Sequence, residues 1–166
     1  MSFGFNSPLT TIDTERKHPL GTQRTGSQGR RYRYGYNAGA DTLAAGEIVG
    51  QHTNSTYGNI TGTVATFVDG AVSSIGLGIG MALAAIPTTN WGWFQTNGPN
   101  DTAITTDGNV AEGDPLTVAG TTSPDGTVLK MVDGAEEAVI GWAIDADTTG
   151  NAMAVGTAVL AMDQFW

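Results

Sequence analysis

The sequence predicts a mostly-β chain, a β-barrel or β-sandwich body behind an extended basic N-terminal arm. Composition is the first reason. Glycine supplies 24 of 166 residues, and charged residues make up only 14%, against about 25% in ordinary globular domains. Glycine costs a helix about 1 kcal/mol relative to alanine, so this mix favours short strands and tight turns. The second reason is punctuation. Asp69-Gly70, Asp107-Gly108, Asp125-Gly126 and Asp133-Gly134 are turn signals, and with the other Gly-, Asn- and Pro-containing turns they punctuate the chain at the roughly 8–12-residue spacing of small β domains. The third reason is charge. Residues 1–33 hold six basic side chains (Arg16, Lys17, Arg24, Arg30, Arg31, Arg33) and two acidic ones, net +4. Residues 34–166 hold Lys130 against fourteen acids, net −13. That split predicts a basic arm, 1–33, on an acidic body, 34–166, with two small lobes, 34–100 and 101–166, as one organisation of the body.

The elements follow from pattern. Residues 1–28 are polar and carry few apolar anchors, so they order only against a partner. From Arg30 the pattern turns to period two. Tyr32, Tyr34 and Tyr36 fall on one face of a strand, and Arg31, Arg33 and Gly35 on the other. "TGTVATFVDGAVSSIGLGIG" holds two β-rich runs about Asp69-Gly70, a hairpin signal. Gly76, Gly78 and Gly80 alternate with Leu77 and Ile79, which predicts a strand lying close to another backbone. The tail Met81 to Ile86 is equally compatible with a helical turn. "NWGWFQTNGP" is a strand with Trp91 and Trp93 on one face, ended by Gly98-Pro99. "PLTVA", "GTVLKMV", "AVIGWAIDA" and "AMAVGTAVLAM" complete the set. "DTLAAGEIV" and "GNVAEGDPLTV" share one plan: an apolar residue, Ala, any residue, Gly, an acid, then a β run. The echo marks two related β lobes or a favoured turn.

The large aromatics Trp91, Trp93, Phe94 and Trp142, with Phe165 and Trp166 at the end of the sequence, are expected in the core or at a subunit interface. The other reading of Trp91, Trp93 and Tyr57 is a sugar-stacking platform.

Chemistry is thinly represented. The chain has no cysteine, which removes disulfides, thiol nucleophiles and Cys-bound zinc. No nucleophile-elbow motif occurs. His18 and His52 read as surface residues of an arm and a turn. Glu136 and Glu137 occupy adjacent strand positions and face opposite ways, so they do not work as a glycosidase pair; Asp145 and Asp147 remain the formal alternative. "DADTTGN" resembles the start of a calcium loop but has Gly156 where the closing glutamate belongs, and reads as a hairpin turn. The expectation is therefore a non-enzymatic protein with no cofactor and no metal. "MSFGFNSPLTTID" lacks the charged start and apolar run of a signal peptide. The most apolar window, Ile75–Pro87, falls short of the roughly 20 residues that span a bilayer. The acidic body repels phosphate, so the basic segment is expected to meet an acidic protein surface before RNA, with no nucleic acid and no membrane as partner.

The C-terminal third, "GDPLTV…DGTVLKMVDGAEEAVIGWAIDADTTGNAMAV", resembles the β body of head decoration (capsid cement) proteins of tailed bacteriophages. The shared plan is a strand after a Gly-acid turn, a hairpin strand and an acidic turn. An apolar "AVIGWAIDA" strand, a polar turn and a last strand follow. "RRYRYGYNAGADTLAAGEIV" is similar to a segment near the start of such proteins. The resemblance covers about half of the chain and leaves 50–100 unmatched. It implies a tulip-like β body, a trimer, and a place on the outer surface of the capsid of a virion assembled in a host cytoplasm. The partner it implies is the major capsid protein, whose shell the decoration stabilises. Arg16, Lys17, Arg24, Arg30, Arg31 and Arg33, with Tyr32, Tyr34 and Tyr36, are then the expected capsid-contact residues.

Overall fold

The computed structural model describes residues 8–38, 42–51, 59–63, 78–100, 109–118, 128–131, 139–147 and 158–161. The fold is mostly β. Among the described residues the one helical element is a 3-10 turn at Ser27–Gly29. The strands are β1 (Gln23–Thr25), β2 (Arg31–Asn37), β3 (Ile48–Gln51), β4 (Asn59–Thr63), β5 (Gly78–Ala82) and β6 (Trp91–Asn100). They continue with β7 (Pro115–Val118), β8 (Val128–Lys130), β9 (Gly141–Ala143) and β10 (Ala158–Ala161). The pairing order is β1-β2-β4-β3-β5-β6-β10-β9-β7-β8, and β2 also pairs with β6. All pairs are antiparallel except β2–β4. The pairings β2–β4, β4–β3, β3–β5, β5–β6 and β6–β2 return on themselves.

β6 is the organising strand. Its first half sits between β2 and β5, with Trp93 opposite Tyr34 and Phe94 opposite Arg33 and Ala82. Both faces of that half are buried. Phe94, Ala82, Val49, Leu43 and Ile86 form one cluster, with Ile12 packed on it. Trp93, Tyr34 and Tyr32 form the other, with Leu9, Leu83 and Trp91 against it. Gly92 makes room for a neighbour here: a Cβ would lie 2.5 Å from Ile86 Cδ1, which would have to shift. At Gly80 a Cβ would meet Phe94 Cβ at 2.8 Å and the Gln95 carbonyl oxygen at 3.1 Å, which is the close backbone approach expected of the alternating glycines. The helical alternative for Met81–Ile86 does not form. Met81 and Ala82 end β5, and Ile86 makes a bridge with Leu43.

Gly98-Pro99 does not end β6, which runs on to Asn100. Gly98 takes φ +88, and the Gln95 side-chain amide donates to the carbonyls of Asn97, Gly98 and Pro99 at 3.2, 3.1 and 2.9 Å. Asn100 Nδ2 in turn donates to Gln95 Oε1 at 2.9 Å. This buried side-chain network occupies backbone acceptors that an irregular strand leaves unpaired. It lets β6 carry on and pair with β10 from Asn97 to Asn100.

The echo between the two Gly-acid segments proves to be structural. Gly46 and Gly113 adopt φ +87 and +84, the left-handed region that favours glycine. The acid that follows closes the turn in both cases. Glu47 accepts from the Ala44 amide, and Asp114 from the Ala111 amide at 2.7 Å. The backbone bonds match one for one. Gly46 donates to Ala82 and Gly113 to Ala143; Ala82 donates to Glu47 and Ala143 to Asp114. Leu43 bridges Ile86, and Val110 bridges Asp147. The registers match too. Val49 pairs with Gly80 and Thr63, and Leu116 with Gly141 and Lys130. Ile48 pairs with Met81, and Pro115 with Trp142. β3-β4-β5-β6 and β7-β8-β9-β10 are thus two copies of one unit. The C-terminal half of β6 serves the second copy as β2 serves the first, with Asn100 opposite Ala158 where Arg33 lies opposite Phe94. In the second copy Lys130 Nζ sits 2.8 Å from Asp114 Oδ2. That bond, with the Ala111 amide, holds the Asp114 carboxyl below its ordinary pKa.

Candidate interaction surface

The basic segment does not project from the body as an arm. Residues 8–33, as far as they are described, lie along it. Asp13 bridges Trp91, with backbone bonds of 2.9 Å in each direction. Gly21 donates to the Tyr34 carbonyl, and Tyr34 to that of Thr22. β1 then pairs with β2, Gln23 opposite Arg33 and Thr25 opposite Arg31. The expected boundary between Arg33 and Tyr34 falls inside β2. The physical reason is that period-two tyrosines give this stretch an apolar face, which the chain buries against its own β6.

The expected contact residues separate by burial. Tyr34 is 0% exposed, and Tyr32 and Arg33 are each 6% exposed. Tyr36 is half-buried and its ring lies 4.8 Å from that of Trp91. The expectation that Tyr32 and Tyr34 face a partner is therefore corrected: they are core. His18, expected at the surface, is half-buried, its ring 4.9 Å from Tyr34 and 5.4 Å from Trp93. Arg30 is also used internally. Its Nε donates to the Pro99 carbonyl at 2.9 Å, and a Cβ on Gly98 would lie 2.8 Å from Arg30 Cα. Arg16, Lys17 and Arg31 are exposed and Arg24 is half-buried. Lys17 lies 3.8 Å from Glu15 across solvent, a pair worth little.

Of the expected core or interface residues, Trp93 and Phe94 are buried, Trp91 is half-buried, and Trp142 is exposed. Trp93 is only 2% exposed, so it offers no face for sugar stacking. Phe165, Trp166, Tyr57, His52, Glu136 and Glu137 lie outside the described residues. Asp145 is exposed, whereas Asp147 is buried and bridged to Val110. Among the described residues no group of three or more His, Asp or Glu is placed to hold a metal ion. No helix of the described residues is long and apolar enough to cross a membrane.

One recess gathers Arg24, Arg31 and Arg33. Gln23, Arg24 and Thr25 of β1, Arg31, Tyr32 and Arg33 of β2, and Thr96 of β6 line a cavity of about 180 Å³. β6 has an extra residue here, since the register shifts between Arg31 and Tyr32. Thr96 Oγ1 donates to the Arg31 carbonyl at 3.3 Å. The bulge opens the sheet beside the arginines. The volume is below the roughly 300–1,000 Å³ of small-molecule sites. It suits a side chain bearing a carboxylate, which arginine recognises by paired N–H donors.

Tyr34 locks the basic segment in place. Its hydroxyl donates to Asp13 Oδ2 at 2.6 Å and accepts from the Lys17 amide at 3.3 Å. Burial, and next the bond to Asp13, push the phenol well above its ordinary pKa. Removing the bond in Tyr34→Phe is expected to cost about 1.5 kcal/mol at neutral pH. The folded state holds this proton more tightly than the unfolded chain. The contribution is therefore complete below the unfolded value near 10 and falls as pH rises past it, by up to about 1.4 kcal/mol per pH unit. Melting curves from pH 8 to pH 11 should show a steeper alkaline loss for the native chain than for Tyr34→Phe. Parallel losses would show that Tyr34 does not carry it.

Comparison with family models, curated proteins and solved structures finds no match.

Proposed function

We propose that this chain is a capsid decoration (cement) protein of a tailed bacteriophage, bound to the outer surface of the major capsid protein shell and stabilising it. The observation that carries the reading is the arginine-lined recess at the β1–β2 edge of an acidic β body. On this reading Arg24 and Arg31, which line the recess, take a carboxylate of the shell protein. A β edge adds main-chain pairing to such a contact, and many weak sites on one closed shell act together. The sequence resemblance to the decoration proteins supports the same reading. The circuit of five strands is, on this view, the barrel of the body. The protein is a homo-trimer on the virion, without enzymatic activity or cofactor.

The test uses shells stripped of the protein. Added native chain should bind them and raise their resistance to heat and low salt. Arg24→Glu with Arg31→Glu should reduce occupancy at least tenfold, and added salt should weaken native binding, as expected for exposed charge pairs. Full occupancy by the double variant would remove the recess from the contact. Equal resistance of bare and decorated shells would remove the stabilising role.

A further inference from the structure

The two copies of the repeated unit differ in one respect that points to a partner. Met81 and Leu83 of the first copy correspond to Trp142 and Ile144 of the second, by the shared registers Ile48–Met81 and Pro115–Trp142. Met81 is 0% exposed, and Leu83 packs against the Tyr32, Tyr34 and Trp93 cluster. Trp142 and Ile144 are 44% and 37% exposed. They are the large apolar residues that the described part of the fold leaves bare. The corresponding positions are apolar in both copies, and in the first copy Leu9 of the N-terminal segment packs on the same aromatic cluster as Leu83.

We infer that the Trp142–Ile144 face binds a second copy of this chain, through the outward side of that copy's N-terminal segment at Arg16 and Lys17. Charge selects this occupant. Asp145 is exposed next to Ile144, and Glu112 is exposed in the turn whose Gly113 donates to Ala143. An exposed tryptophan with acidic residues in its own segment and in the turn bonded to it suits a cation, held by the ring quadrupole as well as by charge. Arg16 and Lys17 are exposed on every copy, and they lie in the segment of net +4. Two Trp142 faces meeting each other would bring like charges together. The contact is therefore heterologous, between different surfaces, and such a contact closes into a ring where its rotation is that of the trimer. It rests on the oligomeric part of the reading above and does not require the shell. It assigns Arg16 and Lys17 to the subunit contact and leaves the recess to the shell.

Sedimentation equilibrium on the full chain tests this without capsids. The native chain should be a closed oligomer. Trp142→Ala should weaken association about 30-fold or more, as buried interface tryptophans do, with an unchanged circular dichroism spectrum. Arg16→Glu with Lys17→Glu should also dissociate it. Asp145→Lys, a surface change that leaves the fold alone, should weaken it as well, and adding it to the Arg16→Glu/Lys17→Glu variant should restore association. An oligomer untouched by Trp142→Ala and Asp145→Lys overturns this contact but leaves the trimer. A monomeric native chain overturns both. A monomer that loses shell binding on Trp142→Ala makes the shell the occupant and overturns this inference. An intact ring that fails to bind shells sinks the decoration reading alone.

Discussion

A chain lacking residues 1–33 is expected to lose cooperative folding of its first repeat. The cut removes β1 and the first three residues of β2, Arg31 to Arg33. It takes away the Asp13 bridge to Trp91 and the Tyr34 hydroxyl's acceptor. It also strips Leu9, Ile12 and His18 from the two clusters that bury Phe94 and Trp93. β2 loses its whole pairing with β1 and the Arg31, Tyr32 and Arg33 part of its pairing with β6, while its pairing with β4 at Tyr36 and Asn37 stays in the chain. These losses weigh against a total stability of about 5–15 kcal/mol for a domain. Thermal melting followed by near-ultraviolet circular dichroism reads the result, because Tyr34 and Trp93 report on their own packing. A single sharp transition with native aromatic signals would show that the N-terminal segment is dispensable.

Trp93→Ala is the largest single substitution expected. Trp93 is 2% exposed, in ring contact with Tyr34 at 5.2 Å and with His18 at 5.4 Å. Truncating a buried tryptophan costs about 3–5 kcal/mol through lost burial and the cavity left behind. For a chain of this size that lowers the melting temperature by roughly 10 °C. Trp142→Ala, by contrast, empties no cavity and should change the melting temperature of the isolated subunit little. Equal losses at the two tryptophans would contradict their difference in exposure. Because Trp93→Ala acts through the fold, any lost binding in that variant says nothing about a sugar platform.

Much of the β layout was legible in the residues. The Tyr/Arg alternation places β2, the Gly-acid turns lead into β3 and β7, and the glycines near Gly80 announce a close backbone; the four Asp-Gly turns lie outside the described residues. What the pattern could not convey was pairing. Period two assigns Tyr34 to a face but is silent on whether that face meets Trp93 of the same chain or another protein. A basic, polar stretch reads as an arm because its anchors are few; Leu9, Ile12, Asp13 and His18 suffice because β6 offers them prepared sites. The strand past Gly98-Pro99 was hidden because a side chain, the Gln95 amide, bonds the backbone there. The repeat was half visible. Its Gly-acid turn survives in sequence, while the strand opposite has changed Met81 to Trp142, Leu83 to Ile144 and Ile86 to Asp147 between copies, and only hydrogen bonds reveal the match.

β6 belongs to both copies, which gives the molecule a direction. The first copy draws on nothing from the second within the described pairings, whereas the second starts on Asn97–Asn100 of the first. A growing chain emerging from the ribosome can therefore complete the earlier unit and then present its last strand as a template for the next. The dependence runs the way synthesis runs, and the late-made half never has to wait for its foundation.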